Sequence, residues 1–431
     1  MTNATRDLLI CDLTQSYAPV GGGGIRTYLN EKRRYILEHS EHRLLQIVPG
    51  PDDRVVEQGR HIWVEVGAGQ VPGSPNYRFI LRTGAVREVL ERYRPAIIES
   101  LCPWLLPWTA INYRRAYPKT ALVAGYHTDF PNAHVHRVGA ALFGPWIAAG
   151  LRRISMGYAG LTYREFDQVY VLGEEMRPVL DRCGIDHVDV VSLGVDTEMF
   201  SPVRRDHAFR SRMGILGAGP LLVYAGRIDN EKRIETVVEA FRKLPRELDA
   251  TLLLFGDGKL RARLMADTQG LAVKMPGFLS DREELATALA SSDIYVSAMA
   301  DETFGISIVE AQASGLPVVG VASGAMPERV PPGLGLLGPV DDPAAMARNI
   351  AAVWQGDHRT MGRSAREHAC TQFSWNSTFS GLLERVYAAA LAKVAARCQT
   401  RSAYIDSGAM RLLRRPDRRR RGLPPIAPNM S

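Results

Sequence analysis

The sequence predicts an α/β protein built from two doubly wound domains, and three observations lead to that prediction. The chain has 431 residues, which is more than one ordinary hydrophobic core accommodates. Its composition, 46% hydrophobic and 23% charged, supplies enough apolar side chains for two packed cores. Short apolar runs alternate with helical patterns along both halves of the chain, which is typical of parallel sheets covered by helices.

The first half of the chain contains six apolar runs that predict strands. They are Leu8–Leu13, Leu44–Val48, Ile62–Val66, Ala96–Glu99, Ala121–Tyr126 and Gln168–Leu172. Helical patterns lie between most of them, as in Arg26–Glu38 and Phe79–Tyr93. The segment VDVVSLGVDTEMFSP, residues 188–202, then predicts a strand that leaves the domain through a linker containing glycine and proline.

A second alternating set follows, with five predicted strands. They are Leu221–Tyr224, Thr251–Phe255, Val273–Pro276, Ile294–Val296 and Pro317–Val321. Helices are predicted between them, for example Glu235–Leu244 and Glu283–Ala290, and a long helical stretch spans Ser374–Ala396. Beyond Arg397 the periodicity fails, and RRPDRRRR with the prolines after it predicts a disordered tail.

Charge and cysteine content indicate where the protein works. The net charge is +7, and the nine arginines and two aspartates from Arg397 onward account for all of it, so the body is close to neutral. Five scattered cysteines without metal-ligand spacing favour a reducing compartment. Neither a signal peptide nor a run of about 20 apolar residues is recognisable, so we expect a cytoplasmic protein.

The segment ADETFGISIVEAQASGLPVVG, residues 300–320, predicts an anion-binding turn. Thr303–Ser307 lies between the buried strand at Ile294–Val296 and a helix predicted at Ile308–Ser314. Free amides at the start of that helix suit a pyrophosphate. Glu302 and Glu310 flank the turn, where carboxylates can accept hydrogen bonds from sugar and ribose hydroxyls. The alternative is an ordinary loop glutamate and an ordinary helix glutamate.

Glu302 and Glu310, with seven residues between them, resemble the signature of retaining glycosyltransferases of family four. The blocks ETFGISIVEAQASGLPVV, VYAGRIDNEKRIETVVEAF, LLLFGDG, MPGF, SSDIYVS and SLGVDTEMFSP agree with that family in order and spacing. The resemblance covers residues 6–395 and is most specific in the second half. It implies the GT-B fold, in which two Rossmann-like domains face a central cleft and a C-terminal helix crosses back. The implied boundaries are 1–192, 193–374, 375–396 for the helix and 397–431 for the tail.

The resemblance also implies a role for each matching residue of the second domain. Glu302 would contact the hydroxyls of the donor sugar, and Glu310 those of the ribose. Arg227 and Lys232, in GRIDNEKR, would neutralise the diphosphate that leaves. The remaining implied donor-binding residues are Phe304, Gly305, Ile306 and Ser307, through backbone amides, and Phe278, near the nucleotide base.

Two segments of the first domain match the family more loosely. SYAPVGGGGIRTYL, residues 16–29, is a glycine-rich loop that opens a helix, and Gly23 and Gly24 would let the backbone approach the donor. Arg26 follows it as a candidate acceptor contact or a surface helix residue. In GYHTDFP, His127 ends a buried strand and should point into the cleft near the reacting sugar carbon, or be a core histidine. Asp129 is a second candidate acceptor contact.

The chemistry implied by the resemblance is transfer of a hexosyl group from a UDP- or GDP-sugar with retention of configuration. No retaining nucleophile stands out in the sequence, so the family's same-face mechanism is what the resemblance implies. Neither paired metal-binding aspartates nor a His/Cys cluster stands out either, so we expect a site without metal or cofactor.

Two apolar segments bear on the acceptor. LCPWLLPW, residues 101–108, and VGAALFGPWIAAGL, residues 138–151, are too short to span a bilayer and read either as buried helix or as a docking face for membrane. Together with the basic tail they favour peripheral association with the anionic inner face of the membrane and a lipid or lipid-linked glycan acceptor.

Three other functions are compatible with parts of the sequence. A soluble acceptor, such as an inositol phosphate or a sugar, would fit the same enzyme. Nucleic-acid binding through RRPDRRRR is disfavoured, because no aromatic residues interleave with the basic run, and we expect no nucleic-acid partner. A dehydrogenase is disfavoured because the glycine fingerprint with its ribose-binding acid is missing.

Overall fold

The structure is a computed structural model of the chain. It describes residues 7–15, 17–19, 24–71, 74–127, 129–131, 135, 144–186 and 188–413.

The first half of the chain forms an eight-stranded sheet and a small hairpin. The strands are β1 Leu9–Leu13, β2 Arg43–Gly50, β3 Arg54–Gln58, β4 His61–Gly67, β5 Gly69–Val71, β6 Ser74–Phe79, β7 Ile97–Ser100, β8 Ala121–Tyr126, β9 Gln168–Val171 and β10 Val188–Val190. The sheet order is β10-β9-β8-β7-β1-β2-β4-β3, while β5 pairs with β6 alone. All pairs in the large sheet are parallel except β3 with β4. The central strands are buried, which explains their continuous apolar sequences.

The second half forms a six-stranded parallel sheet. Its strands are β11 Leu221–Ala225, β12 Thr251–Phe255, β13 Val273–Gly277, β14 Ile294–Val296, β15 Val318–Val321 and β16 Gly335–Gly338. The order β13-β12-β11-β14-β15-β16 is that of a Rossmann sheet. In this order β11 and β14 are neighbours although the chain visits β12 and β13 between them, so the loops that follow these two strands meet at the same edge.

Helices cover both sheets. They are α1 Gly24–His39, α2 Thr83–Tyr93, α3 Leu106–Ala116, α4 Pro145–Tyr163, α5 Arg177–Arg182, α6 Phe209–Arg212, α7 Ile234–Arg242, α8 Arg261–Asp267, α9 Arg282–Ala290, α10 Ile306–Ala313, α11 Met326–Arg329, α12 Pro343–Gln355, α13 His358–Gln372, α14 Trp375–Gly381 and α15 Ala388–Leu413. A π-helical turn, Leu382–Tyr387, joins α14 to α15.

The predicted strands are present, with ends that differ by up to two residues, except that the strand at 188–202 ends at Val190. Four strands, β3, β5, β6 and β16, were not predicted. β3 is an exposed edge strand with charged residues, and β16 is a glycine-bounded run of four, so neither has an apolar pattern that stands out. The helix predicted from Phe79 begins at Thr83, because Phe79 belongs to β6.

The chain crosses between the two domains twice, and the crossings lie side by side. Val195 pairs with Ser374, and its amide donates to the Phe373 carbonyl at 3.2 Å. At Gly194 a Cβ would lie 2.3 Å from the backbone nitrogen of Trp375, so a side chain there would separate the crossings. The returning helix then packs on β8 and β9 of the first sheet. The two-domain GT-B architecture with a crossing helix is therefore confirmed, while boundaries at residues 192 and 374 stay predictions.

The predicted start of the tail needs correction. The crossing helix does not end near Ala396 but continues to Leu413. Residues 397–413 contain no proline, and the first one after the helix is Pro416. The arginine-rich segment RRPDRRRR, residues 414–421, lies outside the described residues.

Candidate active site

The turn before α10 has a backbone that only glycine adopts easily. Gly305 precedes the helix with φ +83°, and a Cβ there would lie 2.6 Å from Cδ1 of Ile308. The first helical hydrogen bonds run from the amides of Ile308 and Val309 to the Gly305 carbonyl. The amides of Ile306 and Ser307 therefore precede the hydrogen-bonded ladder and form the positive end of the helix. The predicted turn with free amides before a helix is present, and the binding of an anion there stays a prediction.

Lys232 and Glu302 lie together at the edge of the second sheet. Lys232 follows β11, Glu302 follows β14, and these strands are neighbours. Lys232 Nζ is 3.2 Å from Glu302 Oε2 and 2.8 Å from the sulfur of Met299. Both side chains are largely buried, with 21% and 13% exposed. The ammonium group is thus held beside the turn that starts α10.

Arg227 is oriented by carboxylates of its own loop. Its guanidinium contacts Asp229 at 2.5 Å and Glu231 at 2.7 Å, and about half of its side chain is exposed. Burial lowers its pKa, but attraction to Glu231 and Asp229 outweighs burial, so the net shift is upward.

Glu310 is buried inside α10 and paired with a residue that sequence reasoning missed. Arg282, at the start of α9, donates to Glu310 Oε1 at 2.5 Å and lies over the ring of Phe200. Burial raises the pKa of Glu310, while the attraction and hydrogen bond of Arg282 oppose that shift. Ser307 of the same helix accepts a hydrogen bond from the Tyr295 hydroxyl at 2.9 Å.

Arg329, also missed from the sequence, joins the turn to the first domain. Its guanidinium is fully buried and donates to the carbonyls of Phe304 at 3.1 Å and Leu172 at 3.2 Å. Leu172 directly follows β9 of the first sheet. The same guanidinium lies over the rings of Phe304 and Phe373. The side chain of Phe304 is therefore part of the core, and only its backbone faces the turn.

Two further contacts bring the first domain to the same turn. The Thr303 hydroxyl donates to the carbonyl oxygen of His127 at 3.0 Å. A Cβ at Gly24, the first residue of α1, would lie 3.2 Å from Cδ1 of Ile306. The end of β8 and the start of α1 in the first domain thus lie against the turn before α10, and a donor site between the domains stays a prediction. Gly23 lies outside the described residues.

One side of the His127 ring is held inside the first domain, as the core-histidine alternative predicts, and the approach of its other side to the cleft stays a prediction. Its Nε2 is 2.9 Å from the Tyr170 hydroxyl, its ring packs edge-on against Tyr28, and the residue is only 8% exposed. The carbonyl oxygen makes the contact across the domains instead. Nothing in the sequence indicated this partner, because Tyr170 is 43 residues away.

Three other predicted site residues, Asp129, Arg26 and Phe278, belong to the described part of the chain. Asp129 accepts a hydrogen bond from the Tyr126 hydroxyl at 3.1 Å. Arg26 is partly buried in the first turn of α1. Phe278, just after β13, is 48% exposed, and Gly277 before it has φ +105°. Within the described ranges, no group of three or more His, Cys, Asp and Glu side chains could hold a metal ion.

A third set of residues was missed, although the sequence carried a signal for it. Asp12 lies in the apolar strand LICDL, Glu99 lies in IIES, and Lys32 lies on the buried face of α1 with Tyr28, Leu29 and Ile36. All three charged side chains are fully buried and joined to one another. A charge within an apolar strand is unusual enough to mark a buried pair.

Two Rossmann-like sheets that meet at the start of α10, and a helix that crosses back to the first domain, define the GT-B fold. Solved structures share this fold. The sucrose-phosphate synthase of Thermosynechococcus elongatus aligns with a TM-score of 0.73 at 22% identity, covering 89% of this chain and 100% of that one. The Anabaena protein HepE, solved with UDP and glucose, aligns with a TM-score of 0.67 at 18% identity, covering 88% and 100%.

Sequence comparison identifies the family. Residues 22–199 match Glycosyltransferase Family 4, and residues 219–356 match Glycosyl transferases group 1. The GDP-mannose-dependent alpha-(1-6)-phosphatidylinositol dimannoside mannosyltransferase of Mycobacterium tuberculosis is 29% identical, over 90% of this chain and 98% of that protein. The GDP-mannose-dependent alpha-mannosyltransferase of Corynebacterium glutamicum is 27% identical over 81% and 85%. The chain belongs to glycosyltransferase family four and is a glycosyltransferase.

Proposed function

We propose that this enzyme transfers a mannosyl group from GDP-mannose to a lipid or lipid-linked glycan acceptor, with retention of configuration. The observation that carries the proposal is the meeting of the two domains at one place, where Lys232, Glu302 and the start of α10 reach the His127 segment through Thr303. Relatives that span nearly the same length use GDP-mannose by name, which favours that donor over a UDP-sugar.

The side chains around the turn before α10 each have a role in this proposal. The diphosphate lies against the amides of residues 304–307, and Lys232 and Arg227 neutralise the charge that grows on it as the glycosidic bond breaks. Glu302 accepts hydrogen bonds from sugar hydroxyls, and Glu310 from the ribose. The leaving phosphate takes the proton of the acceptor hydroxyl on the same face, so the configuration is retained. Because these two cations serve the diphosphate, we propose a reaction that needs no metal.

An exposed apolar face supports a lipid acceptor. Ile147, Ile154 and Leu161 of α4 are spaced by seven residues, lie on one side of the helix and are 54%, 70% and 65% exposed. Trp146 beside them is 91% exposed, and exposed Arg152 and Arg153 flank the stripe. We call these six residues the α4 face. Its aromatic, aliphatic and basic side chains suit the surface of an anionic bilayer. Of the described helices, none is long and apolar enough to cross one.

The other apolar segment predicted for membrane docking does not contribute such a face. Trp104 and Trp108 are partly buried and pack against the core of the first domain. We therefore place the peripheral contact with the cytoplasmic side of the membrane at the α4 face, helped by the arginine-rich segment.

A soluble acceptor is the second candidate, and one comparison favours it. The D-inositol 3-phosphate glycosyltransferase of Mycolicibacterium gilvum is 33% identical, over 46% of this chain and 45% of that protein. Absence of nucleic-acid binding stays a prediction.

The test is release of nucleoside diphosphate by purified protein with GDP-mannose, UDP-glucose and UDP-N-acetylglucosamine. Each donor is combined with phosphatidylinositol-containing lipid extract, with inositol phosphate, or with neither, in the presence and absence of EDTA. We expect release of GDP from GDP-mannose that requires lipid and resists EDTA. Stimulation by inositol phosphate alone would support the second candidate, and inhibition by EDTA would contradict metal independence. No release with any combination would contradict the proposal.

A further inference from the structure

A buried polar cluster lies directly behind His127. It consists of Asp12 on β1, Lys32 on α1, Glu99 on β7, Tyr170 on β9 and Tyr387 in the π-helical turn. All five residues are buried, with relative exposures of 2% or less. We call them the Lys32 cluster.

Lys32 stands at the centre of this cluster. Its ammonium group forms ion pairs with Asp12 and Glu99 and lies 2.6 Å from the Tyr387 hydroxyl. Burial would lower the pKa of Lys32, but the two carboxylates outweigh burial and raise it. Burial would raise the pKa of Glu99, but Lys32 and the tyrosine hydrogen bonds lower it overall. Glu99 is therefore a carboxylate that only accepts hydrogen bonds.

This charge state assigns the proton between Tyr170 and His127. The hydroxyls of Tyr170 and Tyr28 both donate to Oε1 of Glu99, Tyr28 at 2.7 Å. A tyrosine hydroxyl has one proton, so the Tyr170 oxygen can only accept from the ring of His127. The 2.9 Å contact between His127 Nε2 and the Tyr170 oxygen therefore requires the proton on Nε2.

Two more observations agree with a neutral ring held in this orientation. Burial lowers the pKa of His127 to about 4; the charge of Glu99 opposes that shift, and the charge of Lys32 adds to it. Only one nitrogen then carries a proton, and Nδ1 keeps a lone pair. At Gly125 a Cβ would lie 2.5 Å from the Tyr170 hydroxyl and 2.9 Å from Cδ2 of His127, so the contact needs glycine there.

We propose that Tyr170, held by the Lys32 cluster, is a positioning residue that fixes His127 as the Nε2–H tautomer. Nδ1 of His127 is then the ring atom that accepts a hydrogen bond from the bound substrate. This inference rests on the proposed function only in placing substrate at His127, because the tautomer itself does not depend on a substrate.

The crossing helix takes part in the same arrangement. The Tyr387 hydroxyl donates to Glu99 Oε2 and comes from the segment that follows the second domain. Tyr387 thus binds Glu99 from the C-terminal part of the chain, whereas the other members of the cluster belong to the first domain. We expect the effect of Tyr387→Phe to have the same sign as that of Tyr170→Phe and to be smaller, because Lys32 still pairs with Glu99.

The first test measures the tautomer of His127 by NMR of the full chain labelled with ¹⁵N-histidine. The protein has ten histidines, and His127→Gln identifies the signal by its loss. At pH 7.5 we expect the Nε2–H pattern in the wild type and a mixture of tautomers in Tyr170→Phe. Tyr113→Phe, a buried tyrosine of the same domain outside the cluster, should leave the signal unchanged. An Nδ1–H or doubly protonated ring, or an unchanged signal in Tyr170→Phe, overturns the proposal.

The second test separates positioning from folding by kinetics with GDP-mannose. Tyr170→Phe should lower kcat about 10- to 100-fold, as expected for a displaced active-site group, and leave KM for the donor within about threefold. Tyr113→Phe should keep the wild-type values. Equal kcat for the two variants would overturn the positioning role. If no donor is turned over by the wild type, the proposed function fails, while the NMR measurement still decides the tautomer.

Discussion

Lys232 is the residue whose environment most directly suits a leaving diphosphate. Its ammonium group is mostly withdrawn from water, lies 3.2 Å from one carboxylate and sits next to the positive end of α10. A cation in such a place is already desolvated and oriented before the substrate arrives, so it stabilises charge that develops during the reaction with little reorganisation. Arg227, by contrast, is half exposed and already bound by two carboxylates.

This difference predicts the effect of Lys232→Ala. We expect kcat/KM for donor-dependent release of nucleoside diphosphate to fall about 100- to 1000-fold, the usual loss for one preorganised donor to developing negative charge. Lys243→Ala, an exposed lysine at the end of α7, is the control and should keep the wild-type rate. A Lys232→Ala enzyme within about threefold of Lys243→Ala would remove Lys232 from the diphosphate site.

At the scale of elements, α4 differs from the other helices of the first domain. A helix on the surface of a domain usually turns its apolar stripe to the core and a polar face to water. In α4, Ala148, Ala159 and Tyr163 are buried, yet the α4 face exposes four large apolar side chains on the solvent side. Exposed apolar patches flanked by basic residues are typical of interaction sites, and a lipid surface matches this one best.

We therefore expect Ile154→Glu to weaken binding to vesicles that contain phosphatidylinositol or phosphatidylglycerol. Loss of one inserted isoleucine should lower the partition coefficient by at least about tenfold, and added salt should weaken the remaining binding through Arg152 and Arg153. Vesicle sedimentation measures both effects. Leu216→Glu changes an exposed apolar residue of the second domain and should bind like the wild type. Equal binding of the two variants would exclude the α4 face as the docking site.

At the scale of the whole molecule, a pair of carboxyl groups lies between the two domains. Glu175 follows β9 in the first domain, and Glu328 belongs to α11 in the second. Burial, followed by the facing Glu328, raises the pKa of Glu175 to about 7. Its pKa is thus higher in the folded than in the unfolded protein, so the folded state is favoured while Glu175 is protonated. That contribution is present at low pH and is lost as the pH rises from about 4.5 through 7.

Glu175→Gln should therefore make stability less dependent on pH. Glutamine imitates the protonated group, so we expect a higher Tm than wild type at pH 8 and a similar Tm at pH 5. Thermal unfolding between pH 5 and pH 8 measures the difference. Glu174→Gln changes the exposed neighbour and should follow the wild-type curve at every pH. A Glu175→Gln curve parallel to that of Glu174→Gln would show that Glu175 does not titrate in this range.

Much of the fold and of the donor side of the site could be predicted from the sequence because their signals are local. Buried parallel strands such as Ala121–Tyr126 and Thr251–Phe255 are continuous apolar runs, and their observed bounds equal the predicted ones. The turn at Thr303–Ser307 needs glycine at a positive φ and a helix directly after it, and both are visible as residue types in a row.

Contacts between distant segments were decided by the tertiary structure alone. Arg282 with Glu310 and Arg329 with Leu172 join segments 28 and 157 residues apart, and nothing local distinguishes these arginines from solvated ones. His127 shows the same limit, since its ring orientation depends on Tyr170 and Glu99 on neighbouring strands. The sequence by itself determined two open sheets and the glycine-containing turn before α10, because backbone geometry and hydrophobic periodicity are local properties. Only the folded chain decided which buried charges meet, because the desolvation of a charge is balanced by partners that packing brings together.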